Sequence, residues 1–262
     1  MATPVLEPTH PILSGKRADI YFLRTKMVLE KENLNPVVTM EFFPSREGLL
    51  CGMKEVLALL ATVLPETAEV EALDEGQAMQ TKEVVLRITA PYNSFGLYET
   101  ALLGILAHES GWATAAQECV EAAEGIPIVS FGARHVHPEV SARMEYAAIV
   151  GGCAGCATSA GAELAGIEAT GTIPHAMILI FGDTVEATLA FDRHIDPAVK
   201  RIALVDTFKD EAEESLRVAE ILGEKLWAVR LDTPAERGHV TPDLVKEVRA
   251  RLDQAGYNHV KI

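Results

Sequence analysis

The chain is short of positive charge. Lys and Arg number 23 against 38 Asp and Glu, a net charge of -15 at pH 7, and no basic run appears. A polyanion is repelled on average, which argues against a nucleic-acid partner. Long apolar runs are lacking too. None reaches the roughly 18 residues that span a bilayer, so no membrane partner is expected. Residues 1–16 lack the apolar core of a secretion signal. Cysteines are few: Cys51, Cys119, Cys153 and Cys156 are scattered. That spacing argues against a disulfide framework and points to a reducing cytoplasm. Repeats of solenoid length and low-complexity tracts are also missing.

What remains is ordinary globular material. The 262 residues are 48% hydrophobic and 23% charged, enough for one large or two modest domains. A small anionic substrate is compatible with the acidic balance, because a few arginines make a local positive pocket.

The first part, 1–111, mixes signals and reads as an α+β unit. Strands are predicted over 37–43 and 83–90, and helices over 47–64 and 97–108. The second part, 112–262, alternates. Strands are predicted over 126–134, 166–172, 201–208 and 226–233, with another beginning at 258. Helices are predicted over 138–149, through 164, and over 176–190, 210–222 and 242–255. Strands alternating with helices imply a parallel sheet with right-handed crossovers. Fewer strands are present than a complete barrel needs, so the expected fold is an α+β domain followed by an incomplete parallel α/β barrel.

In such a barrel the strand ends face one way, and polar residues distant in sequence converge there. Arg134, Thr172, His175, Asp206, Arg230 and Asp232 all follow predicted strands. Guanidinium groups fork onto phosphate oxygens, and aspartates hold sugar hydroxyls or a metal, so the set suits a phosphorylated substrate. Bland readings stand beside this one. Asp206 has the chemistry of a helix cap, Arg134 of an ion pair with Glu139 or Glu145, and Asp232-Thr233-Pro234 of a turn. Gly151 and Gly152 open a small-residue run that either approaches a phosphate through bare N–H groups or lets a helix pack closely. Cys153 and Cys156 have no second pair to complete a zinc site, so packing is the better reading, and no residue is assigned as a resident metal ligand.

The chain resembles the nicotinate phosphoribosyltransferase family, most closely its archaeal-type branch. The resemblance rests on Ala18-Asp19-Ile20-Tyr21, Phe95-Gly96-Leu97-Tyr98-Glu99-Thr100-Ala101, Ser130-Phe131-Gly132-Ala133-Arg134 and Gly151-Gly152. It continues through Gly171-Thr172-Ile173-Pro174-His175-Ala176, Val205-Asp206-Thr207-Phe208 and Val229-Arg230-Leu231-Asp232-Thr233. It implies that nicotinate is joined to the ribose of phosphoribosyl pyrophosphate, giving nicotinate mononucleotide. ATP hydrolysis would drive this through a phosphohistidine at His175, with Mg2+ offsetting charge on the leaving group. By the same resemblance Phe131 stacks on the pyridine, and Tyr21 is supplied across a homodimer with shared active sites. Thr172 and Arg230 lie at the nicotinate pocket, Arg134 near base and phosphates, and Asp206 and Asp232 around the catalytic centre. His135 stands where many relatives carry a second arginine. Relatives also continue past 262 into glycine-rich turns that hold the 5′-phosphate. The chain therefore reads as C-terminally truncated and is expected to bind phosphoribosyl pyrophosphate poorly. The alternatives are quinolinate phosphoribosyltransferase, which shares the fold, decarboxylates and needs no phosphohistidine but is opposed by the 171–175 motif, and a non-catalytic binding or dimerisation module.

Overall fold

A computed structural model describes residues 8–262; residues 1–7 of the expected first domain lie outside the described residues. The fold is an α+β domain followed by an α/β domain. Its contacts divide into two compact units, one up to Thr170 and one of Gly171–Ile262.

The first unit opens with α1 (His10–Leu13) and α2 (Ile20–Lys31). Then come β1 (Val37–Phe42), β2 (Gly48–Leu49), α3 (Met53–Val63), β3 (Glu69–Ala72), β4 (Ala78–Met79) and β5 (Leu86–Pro91). β5 is the centre of an antiparallel sheet in the order β1-β5-β3. Its two-residue period buries Leu86, Ile88 and Ala90 in one core with Val56, Leu59 and Leu60 of α3. The helix predicted over 47–64 begins only at Met53. Gly52 takes φ +93° in the left-handed region, and Gly48–Leu49 pair with Ala78–Met79 as strands instead.

Next are α4 (Tyr92–Phe95) and α5 (Glu99–Ala122). The helix predicted to end at 108 runs on because its buried stripe continues from Leu102 and Leu106 through Ser110 and Ala113. β6 (Val129–Ser130), α6 (Pro138–Val150), β7 (Gly155–Cys156) and α7 (Ser159–Ala165) complete the unit, with β6 and β7 parallel. The strand predicted over 126–134 is confined to β6, after which the chain turns into the 3-10 helix Gly132–His135.

The strand predicted over 166–172 is not formed. Gly166, at φ +69°, terminates α7, and Thr170 N–H to the Cys156 carbonyl at 2.8 Å is the one backbone bond that segment makes to β7 among the described residues.

The second unit holds α8 (His175–Phe181), α9 (Thr184–His194), β8 (Arg201–Leu204), α10 (Glu211–Leu222), β9 (Leu226–Arg230) and α11 (Pro242–Gln254). β8 and β9 pair in parallel across α10, and Lys261 adds a parallel bridge to Ala228. Ala203, Val205, Val218, Leu226, Val229, Val248 and Leu252 form its core. The single helix predicted over 176–190 is two helices. Gly182 takes φ +75°, and Asp183 caps α9 by accepting from the N–H groups of Val185 (2.8 Å) and Glu186 (3.1 Å). No closed barrel forms among the described residues. No helix among them is long and apolar enough to cross a membrane.

Candidate functional site

Thr172, His175, Asp206, Arg230 and Asp232 lie in the second unit, where side chains from separate segments meet. His175 is the first residue of α8, fixed in place by Pro174 as the preceding cap residue. Its Nε2 lies 2.9 Å from Asp206 Oδ2. A carboxylate accepts, so Nε2 is the donor and Nδ1 is left for other partners. Asp206 follows β8 and is 3% exposed. Its other oxygen, Oδ1, is buried without a hydrogen bond among the described residues. Asp206 does not cap the following helix. Asp210 does, accepting from Ala212 (3.0 Å) and Glu213 (3.2 Å) N–H groups.

Arg230 ends β9. It donates from Nη1 to Thr172 Oγ1 at 2.8 Å and from Nη2 to Asp232 Oδ2 at 2.6 Å. Asp232 thus serves a guanidinium, and Thr233 turns inward to donate to Glu211 Oε1 at 2.7 Å. Within one unit, the segment 172–175 is tied by side-chain bonds both to Asp206 and to Arg230.

Arg237 and Glu211 were missed from sequence. Arg237 donates from Nη1 to the Asp206 carbonyl at 2.6 Å and lies 3.4 Å from Glu211, which is 4% exposed. Together they hold the loop that carries Asp206. Neither stands at a strand end, so nothing in the local pattern marked them.

The remaining predicted residues lie in the first unit. Tyr21 is exposed on α2 and donates to Asp19 Oδ2 at 3.2 Å. Asp19 and Thr100 bond reciprocally at 3.0 and 2.9 Å, which joins two motifs 81 residues apart. Phe131 is 40% exposed, and Arg134 lies exposed in the 3-10 turn after β6. Arg134 makes neither expected ion pair. Glu145 instead accepts from the N–H groups of Ala157 (2.9 Å) and Thr158 (3.0 Å).

Gly151 and Gly152 follow the C-terminus of α6, and their N–H groups bond the Ala147 and Ile149 carbonyls at 2.9 Å. A Cβ on Gly151 would stand 2.4 Å from the Ala113 carbonyl oxygen. Close packing of α6 on α5 is therefore what this glycine serves. Cys153 and Cys156 are both buried, and burial pushes the Cys156 thiol up to about 11. The first unit also holds a cleft of about 560 Å³ lined by residues including Phe42, Arg46, Leu106 and Thr114; none of the predicted site residues lines it.

The second unit thus gathers arginine and aspartate from the ends of β8 and β9 and a histidine from the start of α8. Two family domains match in series: quinolinate phosphoribosyl transferase, N-terminal domain, over residues 19–110, and quinolinate phosphoribosyl transferase, C-terminal domain, over 112–256. The chain belongs to the quinolinate phosphoribosyl transferase family. It is similar to the solved nicotinate-nucleotide pyrophosphorylase of Pyrococcus furiosus, with 43% identity and a TM-score of 0.89 over 99% of this chain and 68% of that one. NadC from Streptococcus pyogenes, 15% identical, shares the fold at a TM-score of 0.65 over 92% of this chain and 83% of its own. The nicotinate phosphoribosyltransferase pncB2 of Mycobacterium tuberculosis is 32% identical over 199 residues, which is 75% of this chain and 42% of that protein. The chain thus spans less than half the length of that relative.

These matches correct the expected function. The reading as an ATP-coupled nicotinate phosphoribosyltransferase is overturned by two family domains of the quinolinate type and by the structural match that covers nearly the whole chain. With it go the ATP requirement and the phosphohistidine at His175. The 171–175 motif, which favours the nicotinate reading in sequence, is outweighed by matches over both domains.

Proposed function

We propose that the chain catalyses phosphoribosyl transfer to quinolinate. The products are nicotinate mononucleotide, pyrophosphate and carbon dioxide. The observation that carries this reading is the match of both quinolinate-type domains in series. Quinolinate holds one carboxylate more than nicotinate, so forming the nicotinate nucleotide must release it. The electron pair of the broken C–C bond stays on the ring carbon. The adjacent ring nitrogen, cationic once ribosylated, stabilises that pair until a proton arrives.

Residues of the second unit suit these demands. The Arg230 fork, with Thr172 beside it, presents donors for a pyridine carboxylate. Asp206 and Asp232 supply negative charge for the ribosyl carbon, which becomes positive as pyrophosphate leaves. Asp206 also orients His175. The unpartnered, buried Oδ1 of Asp206 fits a hard cation or a ribose hydroxyl, so Asp206 and Asp232 are the residues that would hold Mg2+. When bound, that ion would offset charge on the pyrophosphate. In the first unit, Phe131 offers an aromatic face and Arg134 a cation for phosphate. The same reading takes the working unit as a homodimer to which exposed Tyr21 contributes, since Ile20, Met27 and Val28 of α2 are also exposed.

The test supplies carboxyl-labelled quinolinate, phosphoribosyl pyrophosphate and Mg2+ without ATP, and follows labelled carbon dioxide and nucleotide together. Equal release of both supports the proposal. Consumption of nicotinate but not quinolinate would overturn it.

A further inference from the structure

A cluster of polar side chains in the first unit has no part in the proposed reaction. Cys51 lies between β2 and α3, Glu75 between β3 and β4, and Glu109 on α5. Cys51 Sγ is 3.5 Å from Glu75 Oε1 and 3.8 Å from Glu109 Oε2. One ligand atom from each residue falls within 4.8 Å of the other two. Glu75 is held firmly. The N–H groups of Gly52 and Lys54 donate to its Oε1 and Oε2, each at 3.2 Å, and the Tyr146 hydroxyl donates to Oε1 at 3.0 Å.

Glu109 is different. It is 1% exposed, and no N–H or hydroxyl donates to it among the described residues. Its Oε2 has the long thiol contact, and its Oε1 lies 3.8 Å from Arg143 Nε. Arg143 is already engaged, donating to both oxygens of buried Glu55 at 2.6 and 2.7 Å. Two buried carboxylates, Glu55 and Glu109, therefore share one guanidinium. Burial, with Glu55 alongside, makes charge on Glu109 costly and pushes its carboxyl up to about 8.

We propose that Cys51, Glu75 and Glu109 bind a thiophilic divalent cation of the zinc class, with a remaining position for water. Zinc bonds of about 2.3 Å to sulfur and about 2.0 Å to carboxylate oxygen, at the tetrahedral angle, place sulfur and oxygen about 3.5 Å apart. The 3.5 Å sulfur–oxygen distance to Glu75 matches that separation, and the 3.8 Å distance to Glu109 is slightly longer. The thiol's single proton explains one of those contacts, and a cation explains both. On binding, the sulfur–hydrogen bond breaks, its electron pair forms the metal–sulfur bond, and the proton passes to solvent. The cation would cross-link three segments, with Glu75 and Glu109 lying 24 and 58 residues beyond Cys51. Its place in the first unit makes it a structural site.

The test is titration of the purified, metal-stripped chain with cobalt(II) chloride. One equivalent should raise a near-ultraviolet thiolate-to-cobalt charge-transfer band, and zinc should then displace it. A chain in which Cys119, Cys153 and Cys156 are all replaced by serine should keep the band. Cys51→Ser should lose it, and Glu109→Gln or Glu75→Gln should weaken cobalt binding by about 10-fold or more. No band in the folded parent chain overturns the proposal, as does a band that persists in Cys51→Ser. Should Cys51→Ser not fold, the parent, the triple serine chain and Glu75→Gln decide the matter: undiminished binding in Glu75→Gln overturns it.

Discussion

Asp206→Asn separates a carboxylate kept for chemistry from one kept for structure. Asp206 is 3% exposed, with Oδ2 2.9 Å from His175 Nε2 and Oδ1 buried without a partner. Leaving a buried polar atom unpaired costs about 1–3 kcal/mol, and more when it carries charge. The amide has no charge, so part of that cost is relieved. Against this stands the bond to His175, worth about 1.5–3 kcal/mol as a charge-assisted contact. The His175 side chain is 41% exposed, and solvent reduces what the bond contributes to stability. The two effects nearly cancel, so unfolding stability is expected within about 1 kcal/mol of the parent. Catalysis has no such compensation. Losing about 1.5–3 kcal/mol of orientation and charge in the transition state corresponds to a fall of about 10- to 150-fold in kcat/KM. Urea unfolding and initial rates of nicotinate mononucleotide formation from quinolinate measure the pair. The reasoning fails if stability drops by more than about 3 kcal/mol while kcat/KM stays within about threefold of the parent, because Asp206 would then be structural.

Other expectations follow from particular contacts. Arg230→Lys keeps the charge but loses the fork that reaches Thr172 and Asp232, so KM for quinolinate should rise by about 10-fold or more in steady-state kinetics. Arg143→Met strands buried Glu55 and Glu109; urea denaturation at pH 8 should show a loss of about 3–5 kcal/mol, reduced somewhat by the partial exposure of the arginine. Gly151→Ala sets a Cβ against the Ala113 carbonyl and should cost about 1–3 kcal/mol in the same assay. Lys225 and Arg201 hold the Asp192 carboxyl below its ordinary range. Its stabilisation is complete above the unfolded-state value and disappears as pH falls through the lower folded-state value, so Asp192→Asn should flatten that acid limb of a stability–pH curve.

Local pattern made much of this protein legible. Alternating apolar positions marked β5, helical spacing marked α3 and α10, and Asp206, Arg230 and Asp232 were found by their position at the ends of β8 and β9, whereas the strand expected before Thr172 and His175 does not form. These signals depend on neighbours a few residues apart, which a linear reading contains. The choice between a nicotinate and a quinolinate reading was not settled there: the 171–175 motif favours the first, and the two domain matches favour the second.

Where elements stop depended on long-range partners. Segment 166–172 has strand-like composition, yet a strand exists only where a second backbone completes its ladder, and β7 meets that segment at one point. The helix break at Gly182 needed the Asp183 cap, and the extension of α5 needed the core its stripe enters. The Cys51, Glu75 and Glu109 cluster had no sequence signal at all, because its members carry no shared spacing. By itself the sequence determined which groups this protein has for chemistry and the place of its most strongly patterned helices and strands. Tertiary structure alone decided which of those groups are buried, paired or left unpaired, because desolvation and hydrogen bonding are properties of neighbours in space.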